Sequence, residues 1–410
     1  MMAPGFDGET LAQAITSTRI LFGGTVFIGL ALFGGAVLNS FKDFAVPALG
    51  LFVQNTVLVV GLIALLPLGV TGLSWATLIG FAAPFLLQLP FIIRKGMRYE
   101  PSIRLGDPDV RKVAKLAVPL VVGGLAGEIY RLVDRGLAST LVAGSIAALG
   151  FADKLRQLPM GLLSPAISAV VYSNLAEMAA RRDRRGLEET IALALRMVAM
   201  IILPAAAGLA VLRVPIVALL FERGAFDRSS TEVTAAALLY YSIGMLPMAA
   251  VAVMQTVFYS LQDTATPVVI TLAGAALNIG LDFFLVGALG HGGIALANSV
   301  TVIVVMAVML AVLVRRVGSL GGGKLVLSLG KIAAASSVMG LVAFVAGREI
   351  GLFDAGPVLG LRTQLVRVGA IIGSAGAVYA LCLVLFRVDE VAAGRRWVER
   401  RLKRRYATGG

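Results

Sequence analysis

Residues 260–289 read SLQDTATPVVITLAGAALNIGLDFFLVGAL. After a polar start that ends at Pro267, the segment 268–289 is almost entirely apolar. A segment of this length crosses about 30 Å of hydrocarbon as a helix, whereas a transmembrane β-strand is shorter and alternates in polarity. The stretch therefore predicts a membrane-spanning helix that carries two polar groups, Asn278 and Asp282.

The rest of the chain has the same character. Hydrophobic side chains make up 58% of its 410 residues and charged ones 14%, with a mean hydropathy of +0.91. Soluble domains have about half apolar and a quarter charged residues, so we expect an all-α polytopic membrane protein. Eleven transmembrane helices are predicted, at residues 19–40, 46–67, 73–93, 113–140, 145–178, 186–211, 231–260, 266–288, 292–314, 327–347 and 363–386.

Charge and cysteine content narrow the function classes. The net charge is +13, but the Lys and Arg residues lie in a few loops and in the tail GRRWVERRLKRRY. Positively charged loops stay in the cytoplasm, so the C-terminus is predicted to be cytoplasmic. Because this rule explains the positive charge, no nucleic acid is expected as a partner. Cys382 is the single cysteine, which excludes a disulfide framework. Residues 1–18 do not resemble a cleavable signal peptide, so insertion should depend on the first span.

The opening stretch has a counterpart 220 residues earlier. SFKDFAVP at 40–47 matches SLQDTATP at 260–267 in its Ser, Asp, Ala and Pro. GLSWATL from Gly72 overlays GIALANS from Gly293, and each three-helix block ends in a basic pair, Arg94-Lys95 or Arg315-Arg316. Two structural repeats are a common plan for transporters.

The repeats predict how the chain is divided. Three helices at 113–211 precede the second copy, and none precedes the first, so the first lobe is expected to lack its initial three helices. Restoring an odd number of helices would also place the N-terminus in the cytoplasm. The predicted regions are a partial first lobe (1–95), a second lobe (108–317), two additional helices (325–390) and a basic cytoplasmic tail (391–410).

Several motifs in order carry a family resemblance. LLFERGAFDRSSTEVTAAAL at 219–238 and the segment 257–299 resemble the MurJ/MviN family of lipid II flippases, within the multidrug/oligosaccharidyl-lipid/polysaccharide exporter superfamily. APGF at 3–6, RLVDRGLAS at 131–139 and ALGFADKLRQLPMGLL at 148–163 are also similar to the family pattern.

The resemblance implies a two-lobe exporter of fourteen helices, with an incomplete first lobe in this sequence. It implies alternating-access export of the undecaprenyl-diphosphate-linked peptidoglycan precursor across the cytoplasmic membrane, with the last two helices forming a groove for the polyprenyl tail. The family's first two helices carry cavity arginines that no position here matches. Membrane lipids and cell-wall synthesis proteins are the further partners implied.

Charged residues inside spans are costly and indicate a functional site. In GEIYRLVDRGLAS, Glu128, Arg131 and Arg135 share one helical face, with Asp134 beside Arg131. Arg131 and Arg135 are candidate substrate-binding residues in a water-filled cavity. The alternatives are mutual salt bridges and, for Arg135, snorkelling to the membrane surface.

The fifth span contains a second charged group. ADKLRQLPMG places Asp153, Lys154, Arg156 and Gln157 before Pro159, where a kink is expected to act as a hinge. Lys154 and Arg156 are candidate ligands of a diphosphate. Lys154 stands where the family resemblance implies a cavity arginine, although Lys lacks the bidentate fork of Arg. The alternative is that Lys154 pairs with Asp153.

Oxygen-bearing side chains suggest a site for a small cation. Asn278 and Asp282 lie four residues apart on one helical face, and Asp134 is another carboxylate within a span. The resemblance implies Na⁺ binding at Asp134, Asn278, Asp282 and Asn298, with a backbone carbonyl at Ile294. Coupling to Na⁺ or H⁺ is therefore predicted. The alternative is an Asn–Asp pair that hydrogen-bonds between packed helices.

Lipid II flipping is the leading functional interpretation, and three others remain. They are a cation-coupled drug or metabolite antiporter of the same superfamily, a non-transporting scaffold or regulator of cell-wall synthesis, and a start codon assigned too late. The sequence contains no zinc, nucleotide, nucleophile or phosphate-loop motif, so no enzyme is predicted.

Overall fold

A computed structural model describes most of the chain. It covers residues 8–41, 43–96, 131–142, 144–167, 184–261, 263–353 and 360–388, with single residues at 111, 128 and 178. Most of the predicted fourth span, the end of the fifth and the basic tail lie outside the described residues.

All regular structure in the described ranges is helical. The helices are α1 (Gly8–Ser40), α2 (Ala45–Ala64), α3 (Gly69–Arg94), α4 (131–139), α5 (Ser145–Ile167), α6 (Arg184–Val211), α7 (Arg213–Phe221), α8 (Arg228–Ser260), α9 (Ala265–Leu289), α10 (His291–Val317), α11 (Gly323–Glu349) and α12 (Leu361–Leu385).

Nine of the described helices are long and apolar enough to cross a membrane. They are α1, α2, α3, α6 and the five from α8 to α12. The prediction of an all-helical multi-pass membrane protein is confirmed. The count of eleven spans stays a prediction, because the spans expected at 113–140 and 145–178 fall partly on residues that the structure does not describe.

Helix α1 begins earlier than expected. The sequence predicted a span from residue 19, but the helix starts at Gly8. The intervening residues GETLAQAITST include Ala, Leu and Gln, which favour helix, and Glu9 lies in the first turn, where a negative charge is stabilised by the helix dipole. Hydropathy alone could not place this start.

The described part of residues 3–114 forms one compact unit, in which α3 packs against both α1 and α2. Glycines make the close approach of α2 and α3 feasible. A Cβ on Gly61 would lie 3.1 Å from the Ala76 Cβ, and one on Gly80 would lie 3.2 Å from the Leu58 Cβ. Small residues at helix contacts are typical of membrane proteins, where packing rather than the hydrophobic effect holds helices together.

The second unit, from Lys115 onward, is built around α8. Helices α5, α6 and α10 all pack against α8, and Met245, Val253 and Phe258 on α8 are fully buried. Helix α11 packs on α6 and α12, and the Tyr379 hydroxyl of α12 donates to the Met200 carbonyl of α6 at 2.7 Å. The finer division into regions 1–95, 108–317, 325–390 and 391–410 stays a prediction.

The backbone confirms the internal repeat. Helices α1 and α8 are both 33 residues long and begin 220 residues apart. Gly69, the first residue of α3, and Gly290, which directly precedes α10, have nearly the same conformation, with φ of 57° and 55° and ψ of −136° and −134°. A Cβ on Gly72 would clash with the backbone carbonyl of Leu65, and a Cβ on Gly293 would clash with that of Leu285. Both copies therefore need glycine at this position for the same reason.

Candidate functional site

Helix α4 carries the first group of predicted charges. Arg131 Nη2 lies 3.0 Å from Glu128 Oε1, and both side chains are more than half exposed, at 54% and 61%. Arg135 is also exposed. The alternative interpretation, a salt bridge within this segment, is therefore observed for Glu128 and Arg131. Because exposed ion pairs are weak, both arginines remain able to attract an anion.

Arg156 of α5 is the buried member of the predicted substrate cations, with 7% of its surface exposed. Its Nε donates to Asp153 Oδ1 at 3.0 Å, and Nη2 bonds to the same oxygen. Its Nη1 donates to Asn298 Oδ1 of α10 at 3.0 Å, and the guanidinium lies 4.5 Å from the Tyr241 ring centroid on α8. These contacts favour a role in joining three helices over direct phosphate contact.

Lys154 differs from Arg156 although they are two residues apart. Its side chain is exposed, and Nζ lies 5.5 Å from the Phe151 ring centroid. Asp153 is engaged by Arg156 and by Gln157, whose Nε2 donates to Asp153 Oδ2 at 2.6 Å. No ion pair joins Lys154 to a carboxylate of the described residues. The contacts therefore favour an available cation over a partner for Asp153.

Pro159 lies inside α5, which continues to Ile167. The ring leaves the Leu155 carbonyl without its usual helical donor. The predicted hinge is thus placed within a continuous helix, one turn beyond the Lys154 and Arg156 pair.

The structure brings together three of the predicted cation ligands. Asp134 of α4 and Asp282 of α9 are within hydrogen-bonding reach of each other. Asp282 is fully buried, and its Oδ1 has no hydrogen-bond partner among the described residues. Two adjacent carboxyl groups repel each other when both are ionised, and a shared proton or a cation between them would relieve this repulsion. The charges of Arg131 and Arg135 also act on Asp134.

Asn278 completes this cluster. Its amide lies 3.2 Å from Asp282 Oδ2 and 3.2 Å from the backbone nitrogen of Asn298, with the amide nitrogen turned toward Asp282. Rotating the amide by half a turn would present its oxygen to a cation at Asp282. An unpartnered buried oxygen beside a second carboxyl and an amide is a donor set that fits Na⁺ or H⁺.

The other two predicted cation ligands have different surroundings. The Asn298 side-chain oxygen accepts from Arg156. Ile294 is 1% exposed and packs among apolar side chains in the first turns of α10. We refer below to Asp134, Asn278 and Asp282 as the carboxyl cluster. Among the described residues, no three His, Cys, Asp or Glu side chains come together as a metal site would require.

Sequence reasoning missed an ion pair that occurs in both repeats. Asp43 pairs with Lys95 at 3.7 Å, and Asp263 pairs with Arg316 at the equivalent place. Although partial burial raises the pKa of Asp263, hydrogen bonds from Thr266 and Arg316 lower it below its usual value overall. The signal was present, since each repeat has the loop Asp and the basic pair, but their contact follows only from the helix packing.

A comparison with known families decides the assignment. Residues 1–353 match the family model described as lipid II flippase MurJ. The chain belongs to the MurJ family. The lipid II flippase MurJ of Burkholderia cenocepacia is 28% identical over 72% of this chain and 58% of its own length. The probable lipid II flippase MurJ of Vibrio cholerae is 33% identical over 71% of this chain and 56% of its own length.

Solved structures support the MurJ fold. A lipid II flippase MurJ in an inward closed conformation superposes with a TM-score of 0.75 at 23% identity, over 95% of this chain and 78% of that one. An inward-facing multidrug resistance transporter of the MATE family superposes with a TM-score of 0.67 at 19% identity, over 78% of this chain and 74% of that one. The chain spans less than two thirds of the length of the curated MurJ relatives named above.

Proposed function

We propose that this protein moves lipid II, an undecaprenyl-diphosphate-linked peptidoglycan precursor, to the outer face of the cytoplasmic membrane by alternating access. Membership of the MurJ family supports the substrate class. The observation that carries the proposal is Lys154, an exposed cation on α5 beside a helix-internal proline. The proposal contains no bond-making or bond-breaking step, so no catalytic residue is assigned.

The chemistry of the headgroup matches the exposed charges of α4 and α5. A diphosphate ester is an anion that attracts Lys and Arg side chains. Lys154 supplies a point charge, and Arg131 and Arg135 supply guanidinium groups that are not held in the interior. Arg156 positions α5 through Asp153 and Asn298, so that Lys154 stays exposed.

The test is complementation with the full chain in cells depleted of their own lipid II flippase. Lys154→Ala should lower the exposure of the lipid-linked precursor at the outer face at least tenfold, and Lys154→Arg should retain it, because only the alanine variant loses the charge. The exposed Arg185→Ala, whose arginine pairs with Glu189 on the surface of α6, removes one positive charge elsewhere and serves as the control.

Two different results would contradict the proposal. Wild-type chain that is inserted and stable but restores no exposure would refute flipping by this chain alone. Full activity of Lys154→Ala would refute the assigned role of Lys154 while leaving flipping intact.

We propose in addition that flipping is coupled to Na⁺ or H⁺ at the carboxyl cluster. The contact between Asp134 and Asp282 supports this, since a bound cation or proton relieves the repulsion of the two carboxylates. The protein would act in the cytoplasmic membrane with its C-terminus in the cytoplasm. Membrane lipids and cell-wall synthesis proteins would be its further partners.

A further inference from the structure

A cavity of about 290 Å³ lies against the carboxyl cluster. Helices α5, α8, α9 and α10 all contribute to its wall. Its polar lining comes from Gln255, Thr271, Asn278, Asn298 and Thr301. Gln255 and Thr271 lie near the ends of α8 and α9 that meet the Asp263–Arg316 pair. We call this cavity the inner cavity, because this is the side of the basic residues Arg315 and Arg316.

One feature connects the inner cavity to the carboxyl cluster, and a second indicates that the cavity is hydrated. Asn278 belongs to both, so the cavity reaches the amide that contacts Asp282. Thr301 is 93% buried, given its 7% exposure, and its hydroxyl oxygen has no hydrogen-bond partner among the described residues. Buried hydroxyl groups are normally hydrogen-bonded, so an unpartnered one at a cavity wall indicates a bound water or ion.

A second cavity lies toward the opposite ends of these helices. This outer cavity has a volume of about 210 Å³ and is lined by Ser145, Thr234 and His291, among others. Its wall on α10 is at His291, whose Nε2 lies 3.1 Å from the Val233 carbonyl. One turn further along α10, Ile294 is buried in an apolar cluster with Leu238 of α8. Apolar packing therefore lies between the outer cavity and the carboxyl cluster.

We propose that the inner cavity is a hydrated passage through which the coupling cation moves between the carboxyl cluster and the membrane side that carries the basic loops. This inference rests on the cation coupling proposed above. A water molecule occupies about 30 Å³ in the liquid, so the cavity has room for several waters as well as the ion. The hydroxyl of Thr301 and the amides of Asn278 and Asn298 provide polar groups for these waters along the wall.

Cysteine labelling tests whether the passage is hydrated. In a Cys382→Ala background, Ala275→Cys places a thiol on the cavity wall, and Ala276→Cys places one on the exposed side of the same helix at the same depth. Thiols react as thiolates, which form in water and not in hydrocarbon. A charged, membrane-impermeant methanethiosulfonate should modify Ala275→Cys at least tenfold faster than Ala276→Cys in inside-out vesicles. Equal rates, or faster reaction from the outer side only, would overturn the proposal.

Release of ²²Na⁺ tests whether the ion uses the passage. Modification of Ala275→Cys with a bulky reagent should slow ²²Na⁺ release from the purified protein at least tenfold without changing the number of sites. Unchanged ²²Na⁺ release after complete modification would refute the proposed passage but not the cation site at the carboxyl cluster. Failure of the unmodified protein to bind ²²Na⁺ would overturn sodium coupling and the sodium passage together, whereas lipid II exposure in the complementation assay would still report flipping separately.

Discussion

Asp282 is a fully buried carboxyl group whose Oδ1 has no hydrogen bond with the described residues and whose neighbours include a second carboxyl group. Asp282→Asn keeps the shape and removes the charge. We expect at least a tenfold loss of precursor exposure in the complementation assay. The thermal stability should not fall, because the substitution removes repulsion between Asp134 and Asp282.

The exposed Asp227 provides the control for this experiment. Its carboxylate caps α8 and accepts from the Ser230 backbone N–H, which lowers its pKa. Asp227→Asn should therefore leave precursor exposure close to the wild-type value. Normal activity of Asp282→Asn would argue that the cluster only packs α4 against α9.

Arg156 is expected to matter for stability more than for substrate affinity. Arg156→Gln would leave Asp153, whose side chain is 33% exposed, without its main partner. Breaking a fully buried ion pair costs about 3–5 kcal/mol, so we expect roughly 2–3 kcal/mol for this half-buried one. Thermal unfolding in detergent measures the loss, and the double variant Asp153→Asn/Arg156→Gln should recover part of it. A double variant no more stable than Arg156→Gln would show that the contacts to Asn298 and Tyr241 dominate instead.

At the scale of elements, the ion pair between Asp263 and Arg316 fixes the loop between α8 and α9 to the end of α10. The pKa of Asp263 is lowered in the folded protein, so its stabilisation is present above its unfolded pKa of about 4 and is lost as pH falls through the folded pKa. At pH 7, Asp263→Asn should cost about 1 kcal/mol of unfolding free energy, the net contribution typical of a single intramolecular hydrogen bond.

The pH dependence and the first repeat provide the checks on this prediction. The difference in melting temperature between Asp263→Asn and wild type should shrink progressively below about pH 4. The unfolded wild-type chain takes up the proton first, and the folded protein takes it up at a lower pH, where its stabilisation is lost. Asp43→Asn should have a smaller effect at pH 7, since Asp43 lies 3.7 Å from Lys95 and is more exposed than Asp263. A constant difference between pH 7 and pH 3 would mean that the charge of Asp263 does not stabilise the fold.

The sequence predicted the helices well because hydropathy and repetition are local signals. Asp43 and Asp263, Gly72 and Gly293 all matched by spacing alone, and the structure gives each pair equivalent surroundings. Contacts between distant helices were not predictable in this way. Nothing in ADKLRQLPMG shows that Arg156 reaches Asn298, 142 residues away, while Lys154 stays exposed. The role of Thr301 was not predicted, because a threonine in an apolar helix stands out only when the cavity that it lines is known.

At the scale of the whole molecule, the distribution of basic residues implies an orientation for the second unit. Arg184 and Arg185 begin α6, Arg315 and Arg316 end α10, and Lys324 begins α11. Helices α8, α9 and α10 alternate in direction between these points, so the turn at 222–227 and the turn at Gly290 belong to the opposite side. The positive-inside rule therefore predicts a cytoplasmic location for the loop after α10.

This orientation predicts which loops a membrane-impermeant maleimide can reach. In a Cys382→Ala background, Ala225→Cys before α8 and Ser319→Cys after α10 replace small, exposed loop residues. Ala225→Cys should be labelled in intact spheroplasts, and Ser319→Cys only in inside-out vesicles. The reverse pattern would place the inner cavity and the Asp263–Arg316 pair on the outer side. Under the proposed function, the coupling cation would then leave the carboxyl cluster toward the face to which lipid II is delivered. Labelling as expected would instead connect the inner cavity to the cytoplasm, so that an ion released there and a substrate delivered outside move in opposite directions.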